Sequence, residues 1–192
     1  MKRHLLIHLV LALAVSVAFF FVAKSYNNRG FVHRKLGNLD QAIADYDVAI
    51  GLNPNNAKAY NNRGVAYRKK GDLDRAIADY NEAIRLDPED AKAYHNRGYA
   101  YWKKGDLVRA MADYNTAIRL APQFSEAFRD RGLAYVTEGK LERAIAEFDK
   151  AIRLDPTSAE AYYDRSVAYR QKGDLQKADA DLATSKQLPY KP

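Results

Sequence analysis

Cysteine is absent from the 192 residues. That excludes disulfides, thiolate metal sites, thiol nucleophiles and a lipidated cysteine. It does not place the chain, because a cysteine-free protein tolerates oxidising and reducing compartments alike. A single-sign charge stripe is also missing. The formal net charge is +7, yet most basic residues have acidic neighbours, unlike the continuous basic face of a nucleic-acid binder. No nucleophile–base pair, metal-ligating cluster or glycine-rich phosphate loop occurs, so the sequence offers neither a catalytic site nor a cofactor site. Proline is sparse, at six residues, and four of them stand at 54, 88, 122 and 156, each 34 from the next.

Long hydrophobic runs are missing with one exception. The chain opens MKRHLLIHLVLALAVSVAFFFVAKS, and from Leu5 to Ala23 no lysine, arginine or acid interrupts it. As a helix this stretch would extend roughly 28 Å, close to the hydrocarbon thickness of a bilayer. Residues 1–22 therefore read as a signal anchor, or as a signal peptide cleaved after the small-x-small triplet Ser16-Val17-Ala18. Cleavage there would leave a mature chain starting Phe-Phe-Phe-Val. Lys2 and Arg3 favour a cytoplasmic amino terminus, while Lys24, Arg29, Arg34 and Lys35 on the other flank pull the opposite way. The expectation is a single-pass membrane anchor with the rest of the chain outside the cytoplasm; the alternative is an exported or periplasmic protein. His4 and His8, one helical turn apart, read as polar residues near the end of an apolar helix rather than as a metal pair.

The spacing of the prolines marks a repeat, which should be sought before secondary structure. Five blocks of 34 residues begin at 23, 57, 91, 125 and 159. Numbered within each block, position 4 is Tyr26, Tyr60, Tyr94, Phe128, Tyr162, and position 8 is Gly30, Gly64, Gly98, Gly132, Ser166. Position 11 is His33, Tyr67, Tyr101, Tyr135, Tyr169, and position 20 is always alanine, from Ala42 to Ala178. Position 24 is Tyr46, Tyr80, Tyr114, Phe148, Leu182. Positions 4, 8 and 11 share one helical face, and so do 17, 20, 21, 24, 27 and 28. Between the two stands KKGD in repeat two, where Gly71 can end one helix and Asp72 cap the next. Asp87-Pro88 closes the second helix, and Asp90 can cap the helix that follows. The aromatic stripe reads as core packing beside small residues, with His33 in an aromatic's place.

These positions resemble the tetratricopeptide repeat family, over residues 23–192. The resemblance implies an all-α fold: a right-handed α-solenoid of five helix–turn–helix repeats behind an amino-terminal apolar helix, with a concave side that holds peptides. A lone helix pair cannot bury both faces, so each repeat completes its neighbour's core. Repeat five changes at position 21 to Asp179 and at position 28 to Lys186, which reads as a solvated terminal cap.

One departure recurs in every repeat. Position 7, usually leucine in this family, is Arg29, Arg63, Arg97, Arg131 and Arg165, and position 23 is acidic each time: Asp45, Asp79, Asp113, Glu147, Asp181. Opposite charges at fixed offsets predict a contact, within a repeat or between adjacent ones. Such a ladder would favour one stacking register more than it would add stability.

The resemblance implies ligand-facing residues at positions 2, 5, 9, 12 and 13. These are Lys24, Asn27, Phe31, Arg34 and Lys35; Lys58, Asn61, Val65, Arg68 and Lys69; Lys92, His95, Tyr99, Trp102 and Lys103; then Glu126, Arg129, Leu133, Val136 and Thr137; and finally Glu160, Tyr163, Val167, Arg170 and Gln171. Fifteen of these form the candidate groove: Lys24, Asn27, Phe31, Lys58, Asn61, Val65, Arg68, Lys92, His95, Tyr99, Trp102, Arg129, Leu133, Tyr163 and Arg170. A fitting partner is a protein or peptide, extended or helical, with an apolar anchor and acidic flanks. The carboxylate-holding chaperone-tail pattern of the family is met at Asn62 and Lys92 but not at Asn27, Phe31 and Asn96, so the resemblance does not extend to that activity. The function expected is a non-catalytic adaptor or scaffold. The alternatives are homo-oligomer assembly, a membrane-surface assembly factor resting on headgroups through Lys24, Arg34 and Lys35, and, more distantly, nucleic-acid binding.

Overall fold

The computed structural model describes residues 19–189 with their side chains, and its first helix is assigned from Lys2. Ten helices follow one another: α1 (Lys2–Lys35), α2 (Leu39–Leu52), α3 (Ala57–Lys69), α4 (Leu73–Leu86), α5 (Ala91–Lys103), α6 (Leu107–Leu120), α7 (Ser125–Thr137), α8 (Leu141–Leu154), α9 (Ala159–Lys172) and α10 (Leu175–Gln187). There is no strand among the described residues. The all-α, helix-pair expectation therefore holds. The chain groups into two compact bodies, Met1–Glu89 with α1–α4 and Asp90–Pro192 with α5–α10. Their division falls between the second and third repeats.

Each hairpin is punctuated by the residues that chain chemistry favours. Gly71 takes φ +87°, a left-handed conformation that side chains resist, and the N–H of Asp72 donates back to the Tyr67 carbonyl at 3.0 Å. Asp72 then turns to the new helix and accepts from the Arg75 N–H at 3.0 Å. Asp90 caps α5 in the same way through the Lys92 N–H. Phe124 and Lys140 occupy the corresponding positions before α7 and α8 without a side-chain cap.

The core is built from small residues facing rings. Tyr46, Tyr80, Tyr114 and Phe148 are fully buried. A Cβ on Gly64 would stand 2.7 Å from the Tyr80 ring, and one on Gly132 would stand 2.6 Å from Phe148. Glycine is thus required there by contact rather than by backbone angle. Repeat five breaks both halves of the rule together: Ser166 replaces the glycine and Leu182 the ring. Between repeats, alanine makes the seam. Ala42 and Tyr46 of repeat one pack on Ala66 of repeat two, and Ala144 and Phe148 of repeat four pack on Ala168 of repeat five. Asp179 and Lys186 are exposed, as a solvated cap requires.

The apolar segment bears on targeting. Residues 5–18 of the run, with His4, His8 and Ser16-Val17-Ala18, lie outside the described residues. Among the described residues, no helix is long and apolar enough to cross a membrane.

Candidate functional site

The recurrent arginine is the organising side chain. In all five repeats it reaches the acid of its own repeat, sixteen residues on. Arg63 Nε and Nη2 donate to Asp79 at 2.9 and 2.7 Å, and Arg97 donates to Asp113 at 2.8 and 2.7 Å. Arg29 with Asp45 and Arg165 with Asp181 do the same. These four are parallel two-point contacts, the strong arrangement for guanidinium and carboxylate. In repeat four Nη2 of Arg131 alone spans both Glu147 oxygens, at 2.8 Å each. Each guanidinium also lies near the position-4 ring of its own repeat, 4.6 Å from the Tyr26 centroid in the first and 5.5 Å from Tyr162 in the last.

The contact is both within and between repeats, with a different partner in each direction. Nη1 of Arg63 donates to Asp47 of the preceding repeat at 2.6 Å, that of Arg131 to Asn115 at 2.7 Å, and that of Arg165 to Asp149 at 2.6 Å. Position 25, not position 23, is the inter-repeat acceptor. Burial decides the electrostatics. Beside the exposed Arg29, Asp45 is held below the ordinary carboxylate range. Asp79 is more deeply desolvated and is pushed up, because lost hydration outweighs Arg63.

A second ladder runs through the candidate groove. Asn62 Nδ2 donates to Asn27 Oδ1 at 3.1 Å. His95 Nε2 lies 2.8 Å from Asp130 Oδ2, and Arg129 Nε donates to Asp164 Oδ2 at 2.8 Å. Each contact joins position 5 of one repeat to position 6 of the next. Burial pushes Asp164 up to about 6, against the opposing pull of Arg129.

The family models match the repeats directly. A TPR repeat model matches residues 30–71, 66–105 and 132–173, and tetratricopeptide repeat models match 91–124 and 159–188. The chain belongs to the tetratricopeptide repeat family. Among solved structures, it is similar to MamA (26% identity, 89% of this chain and 98% of that chain covered, TM-score 0.70). It is also similar to YrrB, described as a TPR protein with an unusual peptide-binding site (26% identity, 84% of each chain, TM-score 0.63). Pseudomonas aeruginosa pilF shares the fold at 19% identity, with 91% of this chain and 80% of that chain covered and a TM-score of 0.82. None of the curated proteins compared with the chain matches it.

In this tetratricopeptide repeat chain the fifteen candidate residues have different fates. Lys24, Phe31, Lys58, Lys92, Tyr163 and Arg170 are exposed. Asn27, His95 and Arg129 are half-buried and engaged in the second ladder, and Asn61, Arg68, Tyr99 and Leu133 are half-buried as well. Val65 is buried, with 9% of its surface exposed. Trp102 is half-buried, and its Nε1 donates to Thr137 Oγ1 at 3.1 Å in the next repeat. Its ring meets Tyr99 edge-on at 5.5 Å, and Lys103 Nζ stands 4.6 Å over it.

Sequence reading missed the second ladder, though a signal existed. At an offset of 35, Asn27 is matched with Asn62, His95 with Asp130 and Arg129 with Asp164. Amide follows amide, and acid follows base. Among the described residues no group of histidine and acid side chains is placed to hold a metal ion.

Proposed function

We propose that the chain is a non-catalytic adaptor that holds a segment of another protein on the face formed by α5, α7 and α9. The observation that carries this is the Tyr99–Trp102 pair, two large rings meeting edge-on at 5.5 Å at ligand-facing positions. Exposed Lys92 and Lys103 lie on the same helix, and a cavity of about 290 Å³ opens beside Arg129, Tyr163 and Leu188. An apolar anchor with acidic flanks suits that chemistry. The peptide-binding site ascribed to YrrB supports the reading. Residues 1–22 serve in this proposal as a signal anchor holding the repeats outside the cytoplasm, or as a cleaved export signal.

The test is a photoreactive residue at position 102, crosslinked in cells, with the captured segment identified by mass spectrometry. The segment is then synthesised, and its affinity is measured against wild type and Trp102→Ala. Loss of a central aromatic contact should weaken binding about 30-fold, the effect of a hot spot worth roughly 2 kcal/mol. An unchanged affinity in Trp102→Ala would remove this face as the site.

A further inference from the structure

The amino-terminal body holds a cavity of about 620 Å³ that the peptide face does not use. Its lining joins α1 to the turn before α3 and to the end of α4, and sets hydrogen-bond donors beside apolar surface. Lys24 and Lys58 supply two exposed ammonium groups. Three lining asparagines have their amide oxygens already engaged. Asn53 Oδ1 accepts the Asn55 N–H at 3.2 Å, Asn56 Oδ1 accepts the Ala59 N–H at 3.2 Å, and Asn27 Oδ1 accepts from Asn62. A backbone N–H can only donate, so the first two amides are oriented with their oxygens inward and their NH2 groups left as donors. Asp87 is the one acid in the lining, against two cations.

A cationic cavity rich in free donors is built for an oxyanion with several acceptor oxygens, and phosphate is the commonest such group. Phe20 lines the same cavity and is 54% exposed. It belongs to a run, Phe19 to Val22, in which four consecutive apolar side chains are exposed around α1. An inorganic phosphate or an acidic peptide would satisfy the lysines and leave that apolar collar in water. A phospholipid satisfies both, with its headgroup phosphate in the cavity and its glycerol and acyl groups against the phenylalanines.

We infer that this cavity binds the phosphate of an anionic phospholipid headgroup, with Lys24 and Lys58 as its charged contacts and Phe20 as its apolar one. The inference rests on the membrane attachment proposed above for the source of the lipid, not for the chemistry of the site. Native mass spectrometry of the full-length chain in neutral detergent tests it, with phosphatidylglycerol, phosphatidylcholine and inorganic phosphate titrated separately. One phosphatidylglycerol should be retained in preference to phosphatidylcholine. Lys24→Ala/Lys58→Ala should weaken it about 25-fold, each lysine near an anionic group being worth roughly fivefold. Both lysines are exposed, so the double variant keeps its fold, which circular dichroism verifies. Phe20→Ala should weaken the lipid while leaving inorganic phosphate unchanged.

Equal retention of the two lipids, or indifference to the double substitution, would overturn the inference. So would inorganic phosphate binding as tightly as the lipid, which makes the source a free anion, or an acidic peptide displacing the lipid at equal affinity. The same spectrum reports the intact mass. A chain shortened at its amino terminus that still takes phosphatidylglycerol would leave the site standing and remove only the anchor.

Discussion

Gly132 and Phe148 offer a sharp test of how the repeat packs, because the expected effect changes sign with its background. A Cβ on Gly132 would stand 2.6, 2.9 and 3.1 Å from three atoms of the Phe148 ring. Phe148 is fully buried, so the ring has no solvent to swing into. Overpacking of this kind costs about 1–3 kcal/mol. Gly132 also lies inside α7, where alanine is favoured over glycine by about 1 kcal/mol. Gly132→Ala should therefore destabilise by a net 0–2 kcal/mol, roughly, and toward the upper end because the 2.6 Å approach is severe. Phe148→Leu imports the repeat-five residue at position 24, Leu182, which accompanies Ser166 at position 8. In that background the clash is gone and the helix preference remains, so Gly132→Ala should stabilise by about 0.5–1 kcal/mol. The four proteins are compared by urea unfolding in one detergent, with ellipticity at 222 nm and Trp102 emission as probes and unchanged m values as the condition for comparison. If the effects add within about 0.5 kcal/mol, as for independent sites, the ring does not impose the glycine.

The remaining predictions concern charge. Arg97→Asp should cost about 3–5 kcal/mol, because it leaves the buried Asp113 unpaired beside a new negative charge; adding Asp113→Arg should recover part of it in the same unfolding assay, and recovery with a different acid instead would refute the pairing. Asp164 titrates higher in the folded chain, at about 6, than its ordinary 3.8. Its protonated form is therefore the better tolerated one, and its contribution is full below pH ~4 and fades as pH rises to ~6, on the order of 3 kcal/mol. Asp164→Asn should flatten the fall in stability across that window, and a slope identical to wild type would count against the burial argument. Asn62→Ala removes an amide bond to Asn27 and should cost about 1 kcal/mol, read as a lower urea midpoint.

Much of the fold was legible because its determinants are local and repeat in phase. Gly71, Asp72 and Pro88 mark helix ends by their own backbone chemistry, and the ring at position 24 announces the glycine at position 8. The arginine–acid pair was legible for a similar reason, since one residue type recurs at each end of a fixed offset. The second ladder was not legible in that way. Position 5 runs Asn, Asn, His, Arg, Tyr, so nothing recurs to catch the eye, and only a comparison with the following repeat exposes the matching. The Trp102 contact was hidden for the same cause: its partner, Thr137, is undistinguished in sequence and reaches it only through stacking. Exposure at position 9 varies in the same way, from exposed Phe31 to buried Val65, because it depends on what packs beside it.

The two ladders together constrain what a ligand can touch. Each arginine at position 7 ties its helix to the second helix of its own repeat, and Arg63, Arg131 and Arg165 reach back to the preceding repeat as well. Apolar seams made of alanine against aromatic rings are permissive about sliding, whereas two-point guanidinium contacts are directional. Within each body, the directional bonds between repeats, from Nη1 of position 7 and from position 5, favour one register of neighbouring first helices. Within that register, position 5 turns to its neighbour rather than outward, as His95 does to Asp130 and Arg129 to Asp164. In the carboxy-terminal body the last repeat differs. Tyr163 occupies position 5 with no described neighbour beyond it and is 52% exposed. Specificity on the α5–α7–α9 face should accordingly reside in positions 2, 9 and 12 together with Tyr163. Exchanging Lys92 or Tyr99 should change partner affinity without changing stability. Exchanging His95 should lower stability first and affect the partner only through it. A His95 variant with wild-type stability and lost affinity would reverse that assignment.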